Sequence, residues 1–189
     1  MRRRSSTPLV AVAALGAALA LGACGNKTVS IHGGETEGIY LDVGQLKYQV
    51  EISRQLNPSI PEDRTFLSDV AQGDRKLAPD ELWFAVFVRV ENETDQAQSP
   101  ASNYTIRDTE GNVFRPVSLG RFNPFRYTTD PVPPEGVAPH PDSVAGENTS
   151  IAGRELLFRL KRATLDNRPL TLTIESASGA DKATNVLDV

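Results

Sequence analysis

Residues able to do chemistry are sparse in this chain: one cysteine, Cys24, and two histidines, His32 and His140, among 189 residues. A lone thiol excludes an intrachain disulfide. Zinc sites draw on closely spaced His and Cys pairs, and these two histidines are far apart, the second lying between prolines in APHPDS. A copper electron-transfer site takes cysteine, histidines and usually methionine, whereas the single methionine here is Met1. Serine hydrolysis needs a nucleophile beside a histidine and an orienting acid, and neither histidine sits near a nucleophile-elbow motif. The expectation is a non-enzymatic chain with no catalytic residue, metal ligand or cofactor.

Two segments nevertheless carry suggestive residue types. In DTEGN, Asp108, Glu110 and Asn112 alternate like part of a calcium loop, but the remaining oxygen ligands and the distal bidentate Glu are missing. A turn is the alternative, since Asp and Asn bond their own backbone. In RFNPFRY, Arg121, Phe122, Phe125, Arg126 and Tyr127 combine types enriched at binding hot spots, inside a region expected to be loop. These five are the candidate partner-binding residues. The competing reading is that Phe122 and Phe125 fold back to cap the core.

The position of Cys24 is informative. MRRRSST is basic and polar, and PLVAVAALGAALALGA, residues 8–23, is uncharged and ends in small residues, the order of a secretory signal. Its apolar part has 16 residues, short of the roughly 20 that span a bilayer core as a helix. Leu21, Gly22, Ala23 and Cys24 resemble the lipobox of bacterial lipoprotein signals: an aliphatic residue, two small ones and a cysteine. That resemblance implies cleavage before Cys24, diacylglycerol on its sulfur and a lipid anchor at the extracytoplasmic face of the cell membrane. Two or three acyl chains hold durably where one holds only marginally. A retained spanning helix and a chance cysteine beside an ordinary cleavage site are the competing readings. GNKTVSIHGGETEG, residues 25–38, is poor in apolar residues and reads as a flexible tether.

Arg2, Arg3 and Arg4 lie in the signal; the rest of the chain carries 17 basic and 24 acidic residues, a net charge of −7. That balance argues against nucleic acid or anionic headgroups as partners held by bulk charge. Thirteen Pro, fourteen Gly and little Met favour strands and turns over long helices.

Period-two patterning supports this. In QLKYQVEIS, Leu46, Tyr48, Val50 and Ile52 alternate with polar residues, which predicts a half-buried strand after a first one at IYLDV, 39–43. TFLSDV, 65–70, suits a short strand or a turn of helix. LWFAVFVRVEN, 82–92, starts apolar on both alternating faces and predicts a central strand covered on both sides. YTIRD and NVFRPV around Thr109–Gly111 predict a hairpin, residues 121–150 are irregular, and LLFRLKRA and LTLTIES give two further strands.

About seven strands in some 140 residues predict an all-β, immunoglobulin-like antiparallel sandwich without the usual disulfide. The expected layout is signal 1–23, lipidated tether 24–37, sandwich 38–177 and C-terminal tail 178–189. The order LKYQVEIS, ELWFAVFVRVENETDQAQSPASNYTIRDTEGNVFRPV, AGRELLFRLKR, PLTLTIES is similar to the DUF4352-type immunoglobulin-like domain of Gram-positive lipoproteins, apart from a long insert at 119–150. The resemblance covers residues 38–177 and implies fold but no activity. The function expected is therefore a membrane-anchored binding domain for an envelope protein or cell-wall component. A structural envelope lipoprotein without its own ligand is the first alternative, and a metal-binding or enzymatic secreted domain is the second. A solute receptor is disfavoured, because one sandwich lacks two lobes to close on a solute.

Overall fold

The apolar alternation builds two sheets. The structure, a computed structural model, describes residues 30–147 and 151–189, so the signal, Leu21, Gly22, Ala23 and Cys24 lie outside the described residues. Eleven strands, two short α-helices and one 3-10 helix, Arg162–Asp166, are present among the described residues. One sheet has the order β1 (Gly33–Gly34), β11 (Lys182–Val186), β10 (Thr171–Glu175), β5 (Asn103–Arg107), β6 (Val113–Phe114). The other has β2 (Tyr40–Val43), β3 (Leu46–Leu56), β4 (Glu81–Glu91), β9 (Arg154–Lys161), β7 (Pro116–Val117). A two-residue strand, β8 (Val137–Ala138), pairs with β4 at Val90 and Glu91, beyond the point where β9 begins opposite Val88. The chain is thus an antiparallel β-sandwich, with the parallel β1–β11 contact as an exception. Seven strands have four residues or more, and the other four have two each.

β4 is central, and both its faces are buried. Leu82, Phe84, Val86, Val88 and Val90 point between the sheets, where they meet Leu156, Phe158, Tyr104, Ile106, Leu172 and Ile174. Trp83, Ala85 and Phe87 point the other way, into a second core with Leu56, Phe66, Phe125, Ala145, Ile151 and Leu157. A third, mostly irregular layer covers that outer face, built from α1 (Pro61–Phe66), the 117–125 segment and α2 (Val144–Glu147). Its centre is aromatic. Phe66 meets Phe87 and Phe125 edge to face, at centroid distances of 4.9 and 4.7 Å.

Three expectations are corrected. First, Ile52 leaves the face that it shares with Leu46, Tyr48 and Val50 in strict alternation. A β-bulge between Val50 and Ile52 leaves Glu51 as the extra residue, and Ile52 faces Phe87 and the second core. The phase change also points Arg54 outward, opposite Ala85, where it pairs with the fully buried Asp63 of α1. Second, NVFRPV is not one strand. Val113–Phe114 pairs with β5, whereas Pro116–Val117 pairs with β9 in the other sheet, so the chain changes sheets at Arg115. Third, both flanks are structured: the expected tether already contains β1, and the expected tail contains β11, paired with β10 along five residues. The short polar-alternating KATNV offers only Ala183 and Asn185 as inward positions, too little apolar signal for the rule that found the others.

Asp63 fastens α1 to the sheet by accepting from Arg54 and from the Asn57 N–H at 2.7 Å. Removing one partner of a buried pair leaves the other uncompensated. Asp63→Ala is expected to destabilise the domain by about 3 kcal/mol, read as a lower urea midpoint with an unchanged slope. An unchanged midpoint would show that the third layer does not depend on this pair.

Candidate functional site

The 119–127 segment lies across the outer face of the six-stranded sheet, and backbone bonds set its path. Leu119 bridges Val70; Phe125 O accepts from Glu155 N–H at 2.7 Å, and Tyr127 N–H donates to Glu155 O at 3.0 Å. Asn123 is buried and acts as a rivet. Its amide donates to the Phe66 and Ser68 carbonyls at 2.6 and 2.9 Å and accepts from the Phe125 N–H at 2.8 Å.

These constraints divide the five expected partner-binding residues. Phe125 is 3% exposed, inside the aromatic cluster. Tyr127 turns inward: its hydroxyl accepts from Tyr104 at 2.6 Å and donates to Ala101 O at 2.9 Å, with the rings 5.0 Å apart. Burial pushes the Tyr127 hydroxyl well above its ordinary range. Tyr48 closes this inter-sheet cluster by accepting from the Ala101 N–H at 2.7 Å, and burial pushes its pKa up to about 12. Arg126 is half-buried beside β9, paired through its backbone with Glu155. Phe125 and Tyr127 are therefore removed from the candidate surface, because packing consumes their rings.

Arg121 and Phe122 remain outside. Phe122 is 74% exposed, and the Arg121 guanidinium stands 4.7 Å from its ring centroid. Capping therefore describes Phe125 and not Phe122. The turn that presents them is clamped by Asp69, whose carboxylate accepts from the Phe122 N–H at 2.9 Å and whose carbonyl accepts from the Gly120 N–H at 2.8 Å. A Cβ at Gly120 would sit 2.0 Å from that carboxylate, so the close approach requires glycine.

The other chemical candidates are occupied by structural bonds. Asp108 accepts from the Glu110 and Asn112 N–H groups at 3.1 and 2.8 Å and from the Asn112 amide at 2.8 Å. Burial opposes its charge, but these bonds and one from Asn167 hold its carboxyl below the usual range. DTEGN is a turn. The Ser143 hydroxyl donates to the His140 carbonyl at 2.6 Å, and His140 Nδ1 accepts from the Asp142 N–H at 3.2 Å. Neither bond joins the serine oxygen to the ring. His32 Nδ1 lies 3.6 Å from Asp181. Among the described residues, no group of three or more His, Cys, Asp or Glu side chains is placed to hold a metal.

Two features escape sequence reasoning. A depression of about 290 Å³ opens at one end of the sandwich, lined by Gln55, Phe84, Leu165, Asp166, Arg168 and Val189. The second is Glu155, which is 1% exposed, directly opposite Phe87 and so on the aromatic side of β9. Neither carboxyl oxygen has a hydrogen-bond partner, since both Asn123 amide hydrogens are committed to carbonyls. Burial raises its pKa well above the ordinary glutamate range, tempered by nearby Asn123. Its only sequence signal is phase: two residues before Leu157, it shares the face that turns to the second core.

No family model matches the chain, and no curated protein matches it. Among solved structures, it is similar to the yjhA protein from Bacillus subtilis, with a TM-score of 0.45 and 12% identity over 82% of this chain and 99% of that one. An uncharacterized β-sandwich protein from Clostridium difficile 630 gives a TM-score of 0.46 and 8% identity, over 82% of this chain and 95% of that one.

A carboxyl whose proton is bound more tightly in the folded state costs stability as pH rises. The cost begins near the unfolded glutamate value of 4.5 and stops growing above the folded one. Glu155→Leu is therefore expected to be more stable than the unsubstituted chain at pH 7. The gap should grow with pH from pH 5 by at most ~1.4 kcal/mol per unit, one proton's worth. Urea denaturation at pH 5, 6, 7 and 8 measures it; a constant gap would mean that the carboxyl does not titrate between folded and unfolded states.

Proposed function

We propose that this chain is a lipid-anchored extracytoplasmic protein whose sandwich is a non-enzymatic binding domain, presenting Arg121 and Phe122 to an envelope protein or cell-wall partner. The carrying observation is Leu21-Gly22-Ala23-Cys24 at the end of a 16-residue uncharged run behind three arginines. No helix among the described residues is long and apolar enough to cross a membrane. The likeness in strand order to the DUF4352-type lipoprotein domain belongs to the same reading.

Supporting the binding role, Phe122 is a large aromatic held outward on a turn with little freedom left to lose. Aromatic and arginine side chains dominate interface energetics, and a pre-ordered turn avoids part of the ordering cost of association. No packing role for the Phe122 ring competes with this reading.

Cys24→Ser is expected to shift the protein from the membrane fraction to the medium, or to leave an unprocessed precursor, on fractionation with mass analysis of the amino terminus. Normal cleavage with unchanged membrane retention would refute the anchor.

Phe122→Ala is expected to change stability by less than about 0.5 kcal/mol, as exposed substitutions generally do, yet to remove a specific neighbour from in-cell cross-linking. If every cross-linked neighbour persists, the alternative of a structural lipoprotein without its own ligand takes its place.

A further inference from the structure

The β-ladders give the sandwich two distinct ends, and the amino-terminal segment leaves from one of them. At the first end lie the β2–β3 turn, where Val43 faces Leu46, and the β10–β11 turn, where Glu175 faces Lys182. The Gly44 N–H donates to the Asp181 carboxylate at 2.7 Å and ties these turns together. The β4–β5 connection spans the same end, since Glu91 faces Lys47 and Asn103 faces Glu175. At the opposite end, Leu56 faces Trp83, Arg107 faces Thr171, and the depression bounded by Gln55, Asp166 and Arg168 opens.

Ile31 is fixed to the first end. Its N–H donates to the Asp42 carboxylate and its carbonyl accepts from the Asp42 N–H, both at 2.7 Å. His32 O accepts from Thr184 N–H at 2.9 Å, and Gly33–Gly34 then run parallel to β11, towards the opposite end. The body therefore begins at Ile31, not at residue 38, and the link to Cys24 is much shorter than the sequence suggests. Seven peptide steps separate Cys24 from Ile31, a reach of at most about 25 Å. The strands are longer: β3, with 11 residues, extends about 33 Å.

We infer that a lipid on Cys24 holds this sandwich end-on, with the turns at 43–46 and 176–181 facing the bilayer and the Gln55–Asp166–Arg168 depression facing away. The inference rests on the anchor proposed above. A link shorter than the domain forbids it from turning over, because inversion would have to carry Ile31 a strand length from the surface. Covalent reach excludes the inverted orientation without help from attraction: Asp42, Glu93, Glu135 and Asp181 outnumber Lys47 and Lys182 at the membrane-facing end, so anionic headgroups do not draw it down. The flank bearing Phe122 and the outer end are then the surfaces turned towards a partner outside the membrane.

The test uses the full-length lipoprotein, purified from membranes and reconstituted into vesicles containing an acceptor-labelled lipid. Ala177→Cys places a label on the β10–β11 turn, and Glu110→Cys places one on the β5–β6 turn at the other end; both side chains are exposed. Because acylation blocks Cys24, each variant is expected to titrate one free thiol. Energy transfer to the lipid should be several-fold stronger from position 177 than from position 110. One thiol per chain with equal or reversed transfer overturns the orientation and leaves the anchor standing. Two thiols per chain show that Cys24 is unmodified, and both readings fall.

Discussion

The fold depends on one strand having no polar face over most of its length. Between Leu82 and Val88, β4 presents apolar side chains to both sides. One sheet packed against another covers only one of them, and leaving Trp83 and Phe87 wet would each forfeit about 1.5–3 kcal/mol of burial. Hence a third layer is needed. The residues between β3 and β4 and those between β7 and β9 supply it, although breakers prevent either stretch from forming long regular structure. They lie over Trp83, Ala85 and Phe87 as a lid built from Phe66, Phe125, Ala145 and Ile151. Past Phe87 the outer face turns polar at Arg89 and Glu91, and the aromatic cluster does not extend there.

That constraint explains which parts of the structure are legible in the sequence. Alternation in β5 and β10 is strict, β4 and β9 carry apolar runs buried on both faces, and all four form where the apolar pattern places them. The inner-face residues of β3 up to Val50 follow the same rule. Ile52 breaks it because a bulge is a local backbone event with no apolar signature of its own: inserting Glu51 reverses every later side chain. Here the reversal is useful, since it delivers Leu56 to the second core and Arg54 to Asp63. β1 and β11 were illegible for a different reason. Both are short and polar, and hydrogen bonds with little apolar burial hold β1 in place.

The candidate surface was legible by residue type and not by role. RFNPFRY contains three aromatic rings, and composition alone cannot say which of them a tertiary core will claim. Asn123 decides the matter by binding the carbonyls of Phe66 and Ser68, which drives Phe125 beneath the layer and leaves Phe122, three residues earlier, on the outside of the turn. An asparagine outside the five candidates therefore sorts the aromatics around it. Its partners lie 55 and 57 positions earlier in the chain, so no local rule reaches them.

Glu155 shows what this arrangement tolerates. The lid and β9 meet through its backbone, whose N–H and carbonyl both bond the 125–127 segment, so position 155 must exist with regular strand geometry. Nothing in that ladder requires a carboxyl, and an apolar side chain opposite Phe87 would suit the cluster better. Other buried polar side chains are matched with partners: Asp63 with Arg54, Asn92 with three carbonyls, Asn123 with two. Ser53 Oγ, Ser68 Oγ, Arg89 Nε, Arg154 Nε and Asn185 Oδ1 are also buried without a hydrogen bond, but among the described residues Glu155 leaves both oxygens of a carboxyl unpaired, at the seam between lid and sheet. It opposes the aromatic packing that closes the third layer, and the layer that presents Phe122 is the one it weakens.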